Sequence, residues 1–474
     1  EEFVATGYAA TKQGTSGPWV VDVANVMEAN VGTSGTGNNL TASATVGGKY
    51  SGNETADDSE TDGTVDAAGI DGTLTINLQT GGNDTPDENT SVSTVEVQVD
   101  NNALTSVKEN TQVQNIAIET DVGTLTVSKK AWNTITNNAE GSAVTLTVSK
   151  VQEAGSGGAE NQPLTYELTA VDANNQEVFA QDSTGTITVS VPAPGGSDTE
   201  NVPNVYYLGP DGAERMQNIQ VTGDTNKRLS WDVTHFSTYV VTQDADSKAF
   251  VVEGDTTTEY DDPKAVLDGL SSITEENVEI YLTENSTHEI ENANYDINKN
   301  VTINGAGSTI NVTVSKAKTG TDGSHHAFQV VSSSTLPLFG VAMTIDEAEG
   351  EEAGTIVGTY GIDVQYGSKL VLDNADLNIS NVSNATISAG NTGGPGVFML
   401  RNRSTITADN IGGNFANGGT WQLENSSIDI NTCTSHGLSC DTVTMNNSKV
   451  EVTGTGLLGV TAREIALNDD SSII

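Results

Sequence analysis

The side chains best able to do chemistry are acids and bases set along one repeated phrase in the C-terminal part of the chain. Asp373, Asp376, Glu424, Asp429 and Glu451 recur at or beside the same polar corner, and Lys369, Arg401, Arg403, Lys449 and Arg463 are thinly spread among them. Gathered on neighbouring strands, carboxylates with a Lys or Arg would hold calcium and abstract a proton from an acidic sugar. Two or three carboxylates projecting together would instead hydrolyse a glycosidic bond. Scattered one or two to a repeat, the same residues make cross-repeat ion pairs on a solvated edge. The scattered arrangement is the expected one, with Arg401 and Arg403 meeting Asp373 and Glu424.

Other constellations read in the same way. His325-His326 sits beside a hydrophilic insertion and is expected as a solvated pair. Thr234-His235-Phe236-Ser237 invites a Ser-His reading, but residues 235 and 237 on one strand do not face each other as nucleophile and base, so a histidine hydrogen-bonded in a core is expected. Cys433 and Cys440 flank a corner around His436. They are too few for a disulfide framework and lack a fourth metal ligand, which leaves a local disulfide or two free thiols. The acidic segment 51–66 lacks the Asp-x-Asp-x-Asp-Gly spacing of a calcium loop. It reads as a solvated loop, with calcium as the one cofactor to test. Lys108, Lys129, Lys130 and Lys150 are candidates for isopeptide cross-links, which the sequence cannot choose between. The insertions at 315–324 and 347–354 and the loop 389–394 are the candidate binding surface, because repeat folds display function on loops. Trp421, Tyr360, Tyr366, Phe398 and Phe415 mostly fall in strand alternation and are expected in the core, which argues against a glycan-stacking groove.

The repeated phrase dictates what positions these residues. Leu370-Val-Leu-Asp-Asn374-Ala-Asp-Leu377-Asn-Ile379 returns as Trp421-Gln-Leu-Glu-Asn425-Ser-Ser-Ile428-Asp-Ile430 and as Val443-Thr-Met-Asn-Asn447-Ser-Lys-Val450-Glu-Val452. Each copy is an apolar alternation, a polar corner and a second alternation. Corners fall at Asn374, Arg403, Asn425, Asn447 and Asp470, in steps of 29, 22, 22 and 23, with earlier ones at Gly307 and Gly340. A strand-only period near twenty-two predicts a parallel β-helix, in which no repeat buries its apolar side alone. Asn and Asp tolerate left-handed backbone at the corners and can bond to the same position in the next repeat.

Composition sets the outer limits. With 64 Asp+Glu against 19 Lys+Arg in 474 residues the net charge is -45, which excludes nucleic acid and disfavours anionic membrane. No apolar run reaches the roughly 18 residues of a membrane span, and residues 1–30 have no signal-peptide pattern. Ile474 falls inside a repeat, so the chain is expected to be an internal piece of something longer. The fold class expected is all-β, antiparallel β-sandwich followed by a right-handed parallel β-helix. The segments are 1–31, the tail of a preceding β-helix or an edge segment; 32–93, a Gly/Thr/Asn-rich β segment and linker; 94–243, a sandwich; 244–262, a linker; and 263–474, the β-helix, incomplete at its C-terminal end. Asp262 and Pro263 cap a short amphipathic helix that would cover the first repeat. Strands are expected at 94–99, 113–119, 123–128, 143–151, 164–171, 185–191, 204–208, 219–221, 228–231 and 236–242, with a helical turn at 131–138.

Three phrases carry a family resemblance. Residues 1–21, with Gly7-Tyr8-Ala and Pro18-Trp19-Val-Val21, resemble the close of β-helix arrays in surface proteins of Gram-positive gut bacteria. Residues 94–243, through Asn102-Ala-Leu104, Asp121-Val-Gly-Thr-Leu-Thr-Val127, Val205-Tyr-Tyr-Leu-Gly-Pro-Asp-Gly212 and above all Thr234-His-Phe-Ser-Thr-Tyr-Val-Val241, resemble a domain of large Firmicute cell-surface proteins, often those anchored by S-layer homology modules. Pro263-Lys-Ala-Val266 followed by Val278-Glu-Ile-Tyr-Leu282 resembles pectin-lyase-like β-helices of such proteins. The resemblance implies an extracellular structural or adhesive segment with no catalytic residues. Its partners would be other segments or copies of the same protein, or host or microbial glycans or proteins. A polysaccharide-binding or polysaccharide-cleaving β-helix is the alternative.

Overall fold

The computed structural model describes residues 11–12, 19–22, 45–52, 64–66, 73–77, 92–99 and 101–474, apart from 110, 112, 121, 153–162, 225, 244–247, 255, 315–324, 349–358, 366, 384 and 389–395. Most of residues 1–31, the centre of the acidic segment 51–66, nearly all of the three candidate binding loops and Tyr366 lie outside the described residues. The chain is all-β and divides into two compact units, residues 1–207 with 215–245 and residues 208–214 with 246–474.

The first unit has a nine-stranded and a seven-stranded sheet around one core. Alternation builds them. Val95, Val97 and Val99 face inward from one sheet, and Leu125 with Val127 from the other. The expected strands recur within a residue or two, from Asn115–Glu119 to Thr238–Thr242. Thr11–Lys12 and Trp19–Asp22 pair antiparallel with each other, and Trp19–Asp22 pairs antiparallel with Thr45–Gly52. One pairing departs from the antiparallel expectation: Thr73–Asn77 runs parallel to Asn115–Glu119. Between them the chain crosses to the other sheet and returns through the Asn101–Glu109 helix, and a long crossover is what a parallel pair requires. The expected helical turn is a full helix, Lys129–Asn138. Ser128 caps it by accepting from Ala131 N, and Ala131, Trp132 and Ile135 face the core. Trp132 Nε1 donates to Leu104 O at 3.1 Å, which ties the two helices together.

The second unit begins with a hairpin. The segment 244–262, expected as a linker, contains strands Ala249–Glu253 and Thr256–Tyr260, and the first of these pairs antiparallel with Asn277–Leu282. The acidic flanks hid it in the sequence, yet Ala249, Phe250 and Val251 are buried. The Pro263–Gly269 helix follows, with Asp262 accepting from Lys264 N at 2.8 Å as its N-cap and Val266 and Leu267 buried, as expected.

Apart from that hairpin, every pairing between the described strands of the 15-stranded and eight-stranded sheets of this unit is parallel. Ile280, Ile303, Leu338, Leu372, Leu400, Leu423, Met445 and Leu467 stand in one register column. A second column in the other sheet runs His288, Ile310, Met343, Leu377, Ile406, Ile428, Val450 and Ile473. The strand ladders bond one repeat to the next, so apolar columns and backbone ladders hold the unit together.

Candidate functional site

The repeated corner joins the two sheets. Its left-handed residues are Asn285, Ala306 and Gly307, Gly340, Asn374, Asn402 and Arg403, Asn425, Asn447 and Asp469. The sequence-read ladder is therefore met at Asn374, Arg403, Asn425 and Asn447, but at the last corner the left-handed residue is Asp469 and not Asp470. The reason is a one-residue difference in corner length. Asn446 pairs with Asn468, an offset of 22, whereas Lys449 pairs with Ser472, an offset of 23, so the last corner holds one residue more. The corner at 402–404 is longer in the same way, since Asp373 pairs with Arg401 but Asp376 with Thr405.

Side chains connect successive corners. Asn447 Nδ2 donates to Asn425 Oδ1 and Asn468 Nδ2 to Asn446 Oδ1, both at 2.8 Å. Asn402 Nδ2 donates to Asp373 Oδ1 at 2.6 Å, and Arg401 Nε pairs with Asp373 Oδ2 at 2.7 Å. The expected cross-repeat ion pair thus exists for Arg401 and Asp373, while neither Arg403 nor Glu424 joins an ion pair among the described residues. Lys449 pairs with Glu451 on its own strand, and Arg463 with Asp441 at 3.4 Å. Three of the five bases singled out, Arg401, Lys449 and Arg463, are thus held in local pairs.

Sequence reading missed the serine that follows most corners. Ser404, Ser426 and Ser448 are buried behind the asparagines. Ser404 Oγ accepts from Ala375 N at 3.2 Å and donates to Arg401 O at 2.7 Å. Ser448 Oγ accepts from Ser426 N at 3.1 Å and donates to Asn446 O at 2.8 Å, and Ser471 accepts from Ser448 N at 3.2 Å. The hydroxyls of Ser404, Ser448 and Ser471 each accept from an amide of the preceding repeat, whereas Ser426 Oγ donates to Glu424 O at 2.8 Å. The signal was present in Arg403-Ser, Asn425-Ser, Asn447-Ser and Asp470-Ser. Ser404→Ala removes both bonds in a fully buried site and is expected to lower stability by about 1–3 kcal/mol. Ser427→Ala, one residue past the next corner's serine, is the control and should stay within about 0.5 kcal/mol. Urea denaturation of the two variants checks this.

His326 lies on a strand, His325–Val330, and not in a solvated loop. It is buried and stacks on Tyr360 with ring centroids 4.9 Å apart. Burial holds its pKa below the ordinary histidine value, although Asp363 and Asp296 pull the other way. Gln329 Nε2 donates to Asp363 Oδ2 at 3.0 Å and Gln365 Nε2 to the same atom at 3.1 Å, which anchors a carboxylate that the sequence did not single out.

His235 rests edge-on against Tyr207 at 4.5 Å, and its carbonyl accepts from Tyr239 Oη at 2.8 Å. The bond from a tyrosine to a carbonyl four residues upstream fixes the turn into the closing strand, which gives Thr234-His-Phe-Ser-Thr-Tyr239 a structural purpose. The disulfide alternative for Cys433 and Cys440 is not formed: both thiols are free and buried. They occupy separate register columns, Cys433 between Ile411 and Thr455 and Cys440 beside Ala462, and Cys433 Sγ donates to His436 O at 3.3 Å. Burial pushes the Cys440 thiol up to about 11 and raises that of Cys433, so both stay protonated at neutral pH. Among the described residues, no three His, Cys, Asp or Glu side chains are grouped to hold a metal ion. Trp421, Phe398 and Phe415 are core residues as expected.

Comparison of the chain with known protein families, with curated proteins and with solved structures finds no match in any of the three.

Proposed function

We propose that residues 263–474 form a right-handed parallel β-helix, that residues 94–243 form a β-sandwich spacer, and that the chain is a non-catalytic structural or adhesive segment of a large secreted bacterial surface protein. The observation that carries this reading is the unbroken parallel register from Ile280 to Leu467, with acids and bases spread along the outside and some of them, Arg401 with Asp373 and Lys449 with Glu451, held in local pairs. Columns that bond every repeat to the next resist bending, and a net charge of -45 keeps neighbouring molecules apart. Binding partners on this reading are other segments of the same protein, or glycans or proteins met at the cell surface.

One observation favours the alternative, a polysaccharide-binding surface. Arg403 is exposed in a groove of about 730 Å³ lined by the amides of Asn374, Asn402, Asn425 and Asn447. Asp211 and Asp373 line the same groove and repel an acidic sugar, which weighs against a polyuronate substrate. Incubating the chain with polyuronates and following release of unsaturated or reducing ends tests the reading. No product is expected; release of product abolished by Arg403→Ala would overturn the structural assignment.

A further inference from the structure

One histidine stands in an apolar column. His288, on the strand Thr287–Ala293, is 2% exposed and holds in its repeat the place that Ile310, Met343 and Leu377 hold in later ones. The helix Pro263–Gly269 lies against the same strand, and its Val266 and Leu267 share a core with Ile290. The serines of the first two corners decide where the ring keeps its proton. Ser308 Oγ and Ser286 Oγ both donate to Thr283 O at 2.7 Å, and Ser286 N donates to Ser308 Oγ at 3.1 Å. With its one proton given to Thr283 O, Ser286 Oγ can only accept from His288 Nε2, 2.6 Å away. The neutral ring therefore carries its proton on Nε2. Its Nδ1 is buried with no hydrogen-bond partner among the described residues. A bare lone pair is tolerated there, whereas a second proton would make a charged donor with nothing to receive it.

The surrounding charges do not offset this. Burial holds the His288 pKa below the ordinary histidine value; Asp262, just ahead of the covering helix, pulls it up, and Lys248, just ahead of the first hairpin strand, pushes it down. On the helix, Lys264 and Asp268 pair with each other at 2.5 Å. Glu289 and Glu291 of its own strand and Glu279 of Asn277–Leu282 are exposed, and Thr309–Val314 has no charged side chain. His325–Val330 also packs against the strand and brings His325 and His326. His326 is buried too, but Asp363 and Asp296 both favour its charged form.

We infer that His288 is an acid-operated latch: while neutral it keeps Thr287–Ala293 and the covering helix closed, and on taking up a proton it releases them while the later repeats stay folded. Folding disfavours the charged ring. The stability the ring lends is therefore complete above the unfolded histidine value, about 6.5, and is lost as pH falls below it. Release stays local because each later repeat keeps its own columns and ladders. The inference goes beyond the function proposed above and does not depend on it, since it rests on the ring and its partners alone.

Amide exchange of the whole 474-residue chain, corrected for the intrinsic pH dependence of exchange, tests it. From about pH 7.5 to about pH 5.5, opening of Thr287–Ala293 and Thr309–Val314 should rise about tenfold, the factor by which protonating a released histidine of pKa about 6.5 favours the open form. Opening of Thr420–Glu424, in a later repeat, should not follow. His288→Met, which matches Met343 in the column, should remove the tenfold rise. A rise of the same size in the variant, or one spread evenly as far as Thr420–Glu424, overturns the inference. A second measurement needs no variant and decides the matter should His288→Met not fold. In the wild-type chain with isotope-labelled histidine, nuclear magnetic resonance should find the ring beside Ile310 neutral at about pH 5.5, with its proton on Nε2. A charged ring there in the folded chain, or a neutral one protonated at Nδ1, overturns the inference as well.

Discussion

Trp421→Ala is expected to cost about 3–5 kcal/mol, seen as a shift of the urea midpoint with an unchanged slope. The ring is fully buried, lies nearly parallel to Phe398 with centroids 4.3 Å apart, and has Phe415 at 6.1 Å. Its backbone is bonded in register to Phe398 on one side and to Val443 on the other. Both ladders hold the flanking repeats at strand spacing, so the walls of the vacated space cannot close and the loss includes a cavity as well as the transfer of the ring. Trp421→Phe keeps the stack and should recover most of the loss. Amide exchange should quicken first in Val397–Arg401 and Leu438–Asn446, the two neighbours, because each repeat depends on its adjacent ones.

Gly185→Ala should damage the first unit to a similar degree, with a loss of about 3–5 kcal/mol. Gly185 has φ +107°, where an L side chain is strained, and a Cβ there would lie 2.2 Å from Ala131 N and 2.6 Å from Ala131 Cα. The obstacle is backbone at the start of the Lys129–Asn138 helix, so no rotamer change relieves it. Ser128 Oγ accepts from both Ala131 N and Thr186 N, at 3.3 and 3.0 Å, which clamps the helix start against this turn. The expected outcome is a lower thermal midpoint together with loosened packing of Trp132, read from its fluorescence. Gly141→Ala is the comparison: its φ is also positive, but nothing lies within 4 Å of the added carbon, so only the backbone term remains.

How much of this was legible depended on whether the deciding interaction leaves a local trace. The columns could be read because Leu372, Leu423 and Met445 recur at fixed distances from Asn374, Asn425 and Asn447. The short helix at Pro263 could be read because its cap and its proline are adjacent. Corner length could not: one extra residue at 402–404 or 469–471 looks like ordinary variation until the strands on both sides are paired. The strands Ala249–Glu253 and Thr256–Tyr260 were hidden because their apolar residues are few and surrounded by acids, and only the edge of Asn277–Leu282 makes burying them worthwhile. The parallel pairing of Thr73–Asn77 was hidden for a related reason, since direction is fixed by the path of the intervening chain. At the candidate site, Arg401 with Asp373 followed from their spacing, while the buried serines needed knowledge of which amides the corner leaves unpaired.

The varied offsets between columns have a further meaning. Ile303 to Leu338 spans 35 residues and Leu423 to Met445 only 22, yet each pair occupies adjacent strands. One parallel strand spacing is about 4.8 Å, so the seven steps from Ile280 to Leu467 measure roughly 34 Å however much chain is spent on each. The unit behaves as a ruler graduated in strands: sequence added at its loops changes what is displayed along the edge while leaving the distance between graduations untouched.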